Sequence, residues 1–467
     1  PHQLSTQGPK IAKSDVNNDG LEDVYIGGAK GFAGKLLIQS RTGGFVGANS
    51  AIFEMDEQSE DIGALFFDAD NDKDMDLYVV SGGHEFEEGA PELQDRLYLN
   101  QNGSFRKKEA ALPKMLTNGS CVRAYDFDQD GDQDLFVGGR SVPGKYPMPA
   151  KSYILENDGK GNFKDITPNV NEDLSNIGMV TDALWTDFNG DTVKDLIVVG
   201  EFMGILFFKN ENGKLIAQTN TVQGEHSKGW WNKITQGDFD NDGDMDLVIG
   251  GSNGFLTYYE NVGTSSSYSF EWVTDSLGGV DVSNYYENSG FNVPAFVDIE
   301  GEWELLCGAK NGDLHYFDNI EGNVDGIWNE VDSTLEDINI GMFSAPAIYD
   351  ITEDFHLEMV LGNERGGVGF YKSALLSDIG ICDCEAPTFN VYPNPAYTEV
   401  VIDLGTTKFE DVEKTRVRLY DISGRLIYDE LAKSQKIKIG VGQFSAGTYL
   451  VEVRNNDRVE TKKLIVE

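Results

Sequence analysis

Several common explanations are closed off by what this chain has little of. Four cysteines in 467 residues (Cys121, Cys307, Cys382, Cys384) are too few for a disulfide scaffold. Only Cys382 and Cys384 are close in sequence, while a structural zinc site needs four well-placed ligands. The five histidines (His2, His84, His226, His315, His356) are scattered. The sequence contains no nucleophile elbow, no His-Glu-x-x-His, no phosphate-cradling glycine-lysine loop and no Cys-x-x-Cys. It has no run of 18 apolar residues, which excludes a transmembrane helix. Positive charge is scarce too. Lys and Arg total 37 against 79 Asp and Glu, a formal net charge of −42. Such a chain does not hold nucleic acid or an anionic membrane by general electrostatics, and it attracts cations. It begins Pro-His-Gln, so the segment that would report targeting is expected to be missing.

The charge is unevenly placed. Residues 386–467 carry 12 basic and 12 acidic side chains, so residues 1–385 hold the whole excess. That shift predicts a body over 1–372, a linker over 373–387 and a separate C-terminal domain over 388–467.

The body repeats. An Asp followed by alternating acids opens the segments DVNNDGLED from Asp15, DADNDKDMD from Asp68, DFDQDGDQD from Asp126, DFNGDTVKD from Asp187 and DFDNDGDMD from Asp238. Weaker copies begin at Asp298 and Asp350, and the mean spacing is about 56 residues. Each strong copy is followed by a short β-branched run ending in Gly, such as DLFVGG or DLVIGG, which reads as strand. Further on, an Asn/Gly turn joins two more strands, as in RLYLNQNGSF. Four antiparallel strands repeated seven times predict a seven-bladed β-propeller, each blade needing its neighbours to bury both faces. The last copy lacks an outer strand, which residues 1–8, or the N-terminal extension expected to be missing, would supply.

In the loop from Asp238, carboxylates stand at positions 1, 3, 5 and 9 (Asp238, Asp240, Asp242, Asp246), Gly243 permits the turn at position 6, and Asp244 at position 7 offers its carbonyl. Oxygens gathered on a tight loop suit Ca²⁺ better than Mg²⁺, which keeps its waters and a strict octahedron. Without a cation, each carboxylate pair near 4 Å costs about 4 kcal/mol at an effective dielectric of about 20. Position 12 is Ile26, Val79, Val137, Val198 or Ile249, inside an apolar strand, which excludes an EF-hand.

These loops and the strand that follows resemble the FG-GAP/VCBS repeats of integrin α-chain propellers and bacterial surface proteins, over about residues 8–372. The resemblance implies about five Ca²⁺ sites. Side-chain ligands would be Asp15, Asn17, Asp19 and Asp23; Asp68, Asp70, Asp72 and Asp76; Asp126, Asp128, Asp130 and Asp134; Asp187, Asn189, Asp191 and Asp195; and Asp238, Asp240, Asp242 and Asp246. The position-7 carbonyls would come from Leu21, Asp74, Asp132, Val193 and Asp244. Lys73 and Thr192 replace the usual Gly, so those two sites are expected to be weaker, and the sixth and seventh copies are expected to fold without metal.

Residues 386–467 read as about seven short strands with Gly and Pro turns, a small immunoglobulin-like β-sandwich, so the whole chain is expected to be all-β. The YPNP entry at Tyr392–Pro395, the LYDISGRL hairpin, SAGTYLVEV and the terminal KKLIVE resemble the C-terminal sorting domain of type IX secretion substrates. That resemblance implies handling by outer-membrane secretion machinery and a secreted or bacterial cell-surface location. With no catalytic constellation in the sequence, the expected role is a binding or adhesion module for an extracellular protein or glycan and not an enzyme; the alternative is a polysaccharide lyase on a propeller scaffold. The ligand face is expected opposite the Asp loops, on His84–Gln94, Arg140–Ala150 and Gln223–Asn232 with Trp230 and Trp231.

Overall fold

The computed structural model describes residues 10–466 apart from 41–43, 219–227, 265–267, 284–288, 300–301, 352–356, 364–367, 372–389, 393–395, 405–414, 422–424, 443, 445–446 and 456–457. Two compact units emerge, Pro1–Leu375 and Leu376–Glu467. The expected linker, with Cys382 and Cys384, lies outside the described residues, as does the expected closing segment 1–8.

In the first unit, the repeats become antiparallel groups in meander order, the fourth and fifth also joined where Glu201, Met203 and Gly204 pair with Trp230, Gly229 and Lys228. The first pairs Ile11–Ser14, Asp23–Ile26, Lys35–Gln39 and Phe45–Ala48. The third pairs Gly119–Tyr125, Asp134–Gly139, Tyr153–Asn157 and Phe163–Asp165, and the fourth Met179–Thr186, Asp195–Gly204, Leu206–Asn210 and Leu215–Gln218. The seventh has three described strands, Ala345–Tyr349, Glu358–Gly362 and Val368–Tyr371. Successive first strands touch one another around the axis, which makes them the inner strands.

The second strand of each group explains why the groups need neighbours. In Asp76–Gly82 every residue is buried. Leu77 and Val79 pack with Val16, Tyr25 and Leu36 of the first group, while Tyr78 and Val80 pack with Leu135 and Val137 of the third. This is the two-residue period of a strand serving two interfaces at once. The pattern passes along the chain. Phe136 meets Leu196 and Val198, Ile197 and Val199 meet Leu247 and Ile249, and Val248 meets Leu305 and Cys307. Val24 of the first group then packs against Ile351 and Val360 of the seventh, with Phe45 against Phe370 at 5.5 Å. The ring therefore closes, and the first unit is a β-propeller.

The second unit has two sheets, one of Asn390–Tyr392, Glu399–Asp403 and Lys436–Gly440, the other of Leu426–Leu431, Arg416–Asp421, Gly447–Asn455 and Arg458–Val466. They share one core around Val400, Ile402, Leu419, Val451 and Leu464.

Candidate metal loops and the opposite face

In each blade the first-to-second connection and the third-to-fourth turn emerge at one end of the strands, and the other connections emerge at the opposite end. The Asp loops therefore share one face of the ring.

All five strong loops adopt one backbone. The position-1 carboxylate accepts the N–H groups of positions 5 and 6: Asp15 from Asp19 and Gly20 (3.1 and 2.8 Å), Asp126 from Asp130 and Gly131 (both 3.1 Å), and Asp187 from Asp191 and Thr192 (3.2 and 2.8 Å). Position 6 has a left-handed φ everywhere: 86° at Gly20, 74° at Lys73, 101° at Gly131, 73° at Thr192 and 96° at Gly243. Lys73 and Thr192 keep the shape of their siblings at the cost of backbone strain.

The position-9 Asp is buried and staples the loop to the third strand. Asp76 accepts the N–H groups of Ala69 and Asn100 (2.8 and 2.7 Å), and Asp246 those of Phe239 and Asn261 (3.2 and 2.8 Å). Burial pushes the carboxyls of Asp76, Asp134 and Asp195 up to about 7, against the opposing pull of these N–H groups. A bound divalent cation would supply the missing positive charge.

Three sets of carboxylates place ligand oxygens within 4.8 Å of one another: Asp68, Asp70 and Asp76; Asp126, Asp128 and Asp134; and Asp238, Asp240 and Asp242. The remaining position-5 residues Asp72 and Asp130, and Asp246 at position 9, stand in the same loops outside these closest sets. In the first and fourth loops, Asn17 and Asn189 substitute an amide for one carboxylate. Their Asp15, Asp19 and Asp23, and Asp187, Asp191 and Asp195, keep the loop fold without forming such a set among the described residues. The donor set fits Ca²⁺, since it is all oxygen, and the buried Asp70 Oδ1 and Asp238 Oδ1 have no hydrogen-bond donor.

At position 7 the side chains of Asp74 and Asp132 reach sideways to the neighbouring loop, Asp74 taking the Asn18 amide at 2.8 Å and Asp132 that of Asn71 at 3.4 Å. A second bridge escaped the sequence reading. In the second, third and fourth blades the Asn at the end of the third strand donates to the preceding blade's loop: Asn100 to the Val16 carbonyl (2.7 Å), Asn157 to Ala69 (2.9 Å) and Asn210 to Phe127 (2.7 Å). Its recurrence in RLYLN, YILEN and LFFKN was the available signal. The sixth copy is a tight hairpin with Ile299 paired to Glu302, and in the seventh Glu358 takes the position-9 part by accepting the Ile351 N–H at 2.9 Å.

The opposite face gathers groups far apart in sequence. His84 Nε2 lies 3.0 Å from Asn118 Nδ2 and 3.1 Å from Ser141 Oγ. Asn118 Oδ1 accepts the Gly83 N–H at 3.0 Å, so its amide nitrogen faces the imidazole and leaves Nε2 the acceptor. Burial, then the Arg140 charge, lowers the His84 pKa, which keeps the ring neutral. The wholly buried Glu201 receives Arg140 Nε at 2.8 Å and the Tyr146 hydroxyl at 2.9 Å. Burial raises the Tyr146 pKa, and the Glu201 carboxylate raises it further. His84, Tyr146 and Arg140 thus form a base, an acid and a cation in one cluster, which the scattered positions of the histidines concealed. Trp230 and Trp231 divide. Trp231 is 6% exposed and donates Nε1–H to the Met203 carbonyl (3.1 Å) in the core, while Trp230 packs on Phe202, which is 59% exposed. Residues 223–227 of the third candidate segment lie outside the described residues.

Residues 390–467 match the family model of the secretion system C-terminal sorting domain, and residues 187–249 match that of the FG-GAP-like repeat. The class is therefore a β-propeller of FG-GAP-like repeats ending in a sorting domain. It is a secreted or cell-surface protein, and no helix among the described residues is long and apolar enough to cross a membrane. An ulvan lyase of Nonlabens ulvanivorans is 25% identical over 222 residues, covering 41% of this chain and 40% of the relative, so the chain spans about two fifths of that protein's length. Among solved structures, a type IX surface component of Porphyromonas gingivalis is similar at 15% identity (TM-score 0.39, covering 98% of this chain and 51% of that one). A lectin of Burkholderia pseudomallei is similar at 11% (TM-score 0.47, 78% and 98%). The closed ring, and not these distant likenesses, establishes the propeller. The similarity to a lyase corrects the expectation that the chain is not an enzyme. That expectation rested on the absence of linear motifs, and a site assembled from different blades leaves none.

Proposed function

We propose that the chain is an exported propeller that acts on acidic polysaccharide outside the cell, its Asp loops holding structural Ca²⁺ on one face and its opposite face carrying the chemistry. The observation behind the chemistry is the His84–Arg140–Tyr146–Glu201 cluster, and the similarity to an ulvan lyase supports the substrate class. Eliminative cleavage of a uronate removes the proton beside the carboxylate, forms a C4=C5 double bond and expels the C4 glycosidic oxygen, which takes up a proton. In this reading neutral His84, once Nε2 releases the Asn118 amide, accepts the first proton, and Tyr146, once its hydroxyl releases Glu201, supplies the second. Arg140 retains N–H donors beyond those engaged by Glu201 for the sugar carboxylate. The Ca²⁺ ions stiffen the scaffold and take no part in the steps.

The test is ultraviolet absorbance of the new double bond on a panel of acidic polysaccharides. Wild-type protein is expected to produce it, His84→Ala and Tyr146→Phe to lose at least about a hundredfold. Because the His84 pKa is lowered, with Asn118, Ser141, Arg140 and Glu201 facing the ring, the acid limb of the rate profile should fall below about pH 6.5. Absence of product from every acidic polysaccharide would overturn the reading.

A further inference from the structure

The face opposite the Asp loops carries a second feature that this chemistry does not use. Aromatic rings from successive blades stand in one continuous arc. Tyr146 lies 6.4 Å from Phe202, Phe202 4.9 Å from Trp230, Trp230 5.6 Å from Phe291 and Phe291 5.1 Å from Phe343, centroid to centroid. None of these five is fully buried. Three of them sit on strained backbone, with φ of 54° at Phe202, 50° at Phe291 and 56° at Phe343. A bulky residue in the left-handed region is an outlier, and such strain persists where something other than local stability selects the side chain's direction. Phe291 and Phe343 also occupy the same register, each two residues before its inner strand.

Beside the arc, positive charge collects in a chain that has little of it. Lys10 immediately precedes the first inner strand, at the end away from its Asp loop, and Arg123 and Lys233 lie on inner strands of other blades. Lys10 is within electrostatic reach of Lys233, Arg140 and Arg123, and also of the Asp182 carboxylate. Arg123 and Lys233 share Asp182, Arg140 pairs with Glu201, and Lys10 has no carboxylate partner among the described residues. Four cations therefore face two carboxylates. Solvent still reaches Lys10, yet the protein around it and then the charges of Lys233 and Arg140 pull its pKa down to about 8. An arrangement that crowds like charges costs stability unless an anion joins them. Glu201 connects the two features, since it binds Arg140 and Tyr146 and precedes Phe202 in the chain.

We infer that this face and the inner strands beneath it form a binding track for an acidic polysaccharide, in which the arc from Tyr146 to Phe343 stacks on sugar rings and the surplus charge of Lys10, Arg123, Arg140 and Lys233 takes the carboxylates or sulfates. The inference rests on the polysaccharide reading above and adds where and how the polymer is held. Aromatic faces suit the apolar sides of sugars, and a basic mouth on an acidic body draws an anionic polymer to that mouth alone.

The experiment measures binding of full-length protein in calcium to alginate, pectate, heparin and ulvan, with dextran as the neutral comparison and with the melting temperature recorded alongside. Wild-type protein is expected to bind at least one acidic polymer, more weakly as salt rises, and not dextran. Phe202→Gly is expected to weaken binding about tenfold while leaving the melting temperature no lower, because glycine relieves the left-handed strain. Lys10→Gln is expected to weaken binding and flatten the salt dependence. Ile327→Ala, at a 76% exposed position on the Asp-loop face, should change neither. If wild type binds an acidic polymer and both track variants bind equally well, the track is wrong and the polysaccharide reading stands. If wild type neither binds nor cleaves any of them, the reading fails and the track with it. Dextran binding as tight as that of the acidic polymers, or capture of a protein ligand alone, would also overturn the track.

Discussion

The two faces of the propeller are built by opposite rules. On one, a single nine-residue loop is used five times, with the sixth N–H donating to the first Asp and the same left-handed sixth residue. On the other, the connections leading to Phe291 and Phe343 share a pattern, these residues donating their N–H groups to the Ser252 and Lys310 carbonyls, but the cluster of His84, Arg140, Tyr146 and Glu201 draws on three different blades. A repeated loop that concentrates carboxylates fastens a hairpin and suits a cation, and in the proposed function it holds Ca²⁺. Varied connections on a ring fastened in that way are free to differ, and binding is usually placed on such loops. In that proposal the Asp-loop face supports the variable face.

Metal removal breaks this comparison most severely. Extracellular modules bind Ca²⁺ at about 10⁻⁴ to 10⁻³ M, so a site at tenfold saturation adds about 1.4 kcal/mol and five add about 7 kcal/mol. A chelator should therefore lower the melting temperature by tens of degrees, an effect comparable with the whole stability of a typical domain. Elemental analysis should find the metal, and calcium should restore the original curve. A melting curve indifferent to chelation would leave the Asp loops as solvated turns and end the division of labour between the faces.

A smaller effect separates blades within the metal face. Asn157 holds both the Ala69 carbonyl of the preceding blade and the Gln133 carbonyl of its own loop, at 2.9 and 3.2 Å. In the fifth blade the Phe188 carbonyl instead accepts the Tyr268 N–H at 3.2 Å, and Asn261 acts through its Oδ1, which accepts the Gly263 and Ser269 N–H groups at 3.1 and 2.9 Å. Asn157→Ala should cost about 2 kcal/mol by leaving buried carbonyls unpaired, and Asn261→Ala about half as much. Denaturant melts in calcium measure both. Equal costs would show that the bridge between blades contributes nothing beyond local hydrogen bonding.

The same contrast decides how much was legible in advance. The Asp loops, the buried second strands and the ring of blades follow from local pattern, because alternation, turn residues and spacing are properties of neighbours in sequence. Position 9 was legible as an acid, but its second task was not, since Asp76 clasping the Asn100 N–H joins residues 24 apart. The inter-blade Asn was visible as a recurring letter and was absorbed into the turn it precedes. The opposite face was legible only as a region. Asn118 orienting His84, and Glu201 collecting Arg140 and Tyr146, depend on which blades lie side by side, and no window of sequence contains them. Trp230 and Trp231 show the limit most plainly: two adjacent identical letters, one locked in the core by Met203 and the other stacked beside an exposed Phe.

The smallest expected effect comes from the sixth loop position, where Lys73 and Thr192 stand in place of Gly. Thr192 stands at φ 73° where Gly20, Gly131 and Gly243 hold the same turn without strain. Its branched Cβ crowds the backbone in that region, which costs about 1–2 kcal/mol, while its N–H still donates to Asp187 at 2.8 Å. Thr192→Gly removes the crowding and keeps the hydrogen bond, but a freer unfolded chain returns part of the gain. The net should be a stabilisation of about 1 kcal/mol in calcium, and the fourth loop should also bind its cation more tightly. The reverse change, Gly131→Thr, should destabilise by a similar amount. Because Asp187, Asn189 and Asp191 retain their places in either case, activity on the opposite face should not move. A change in turnover from Thr192→Gly without a change in stability would mean that the two faces are coupled through the fourth blade, and the separation of foundation from function would have to be drawn elsewhere.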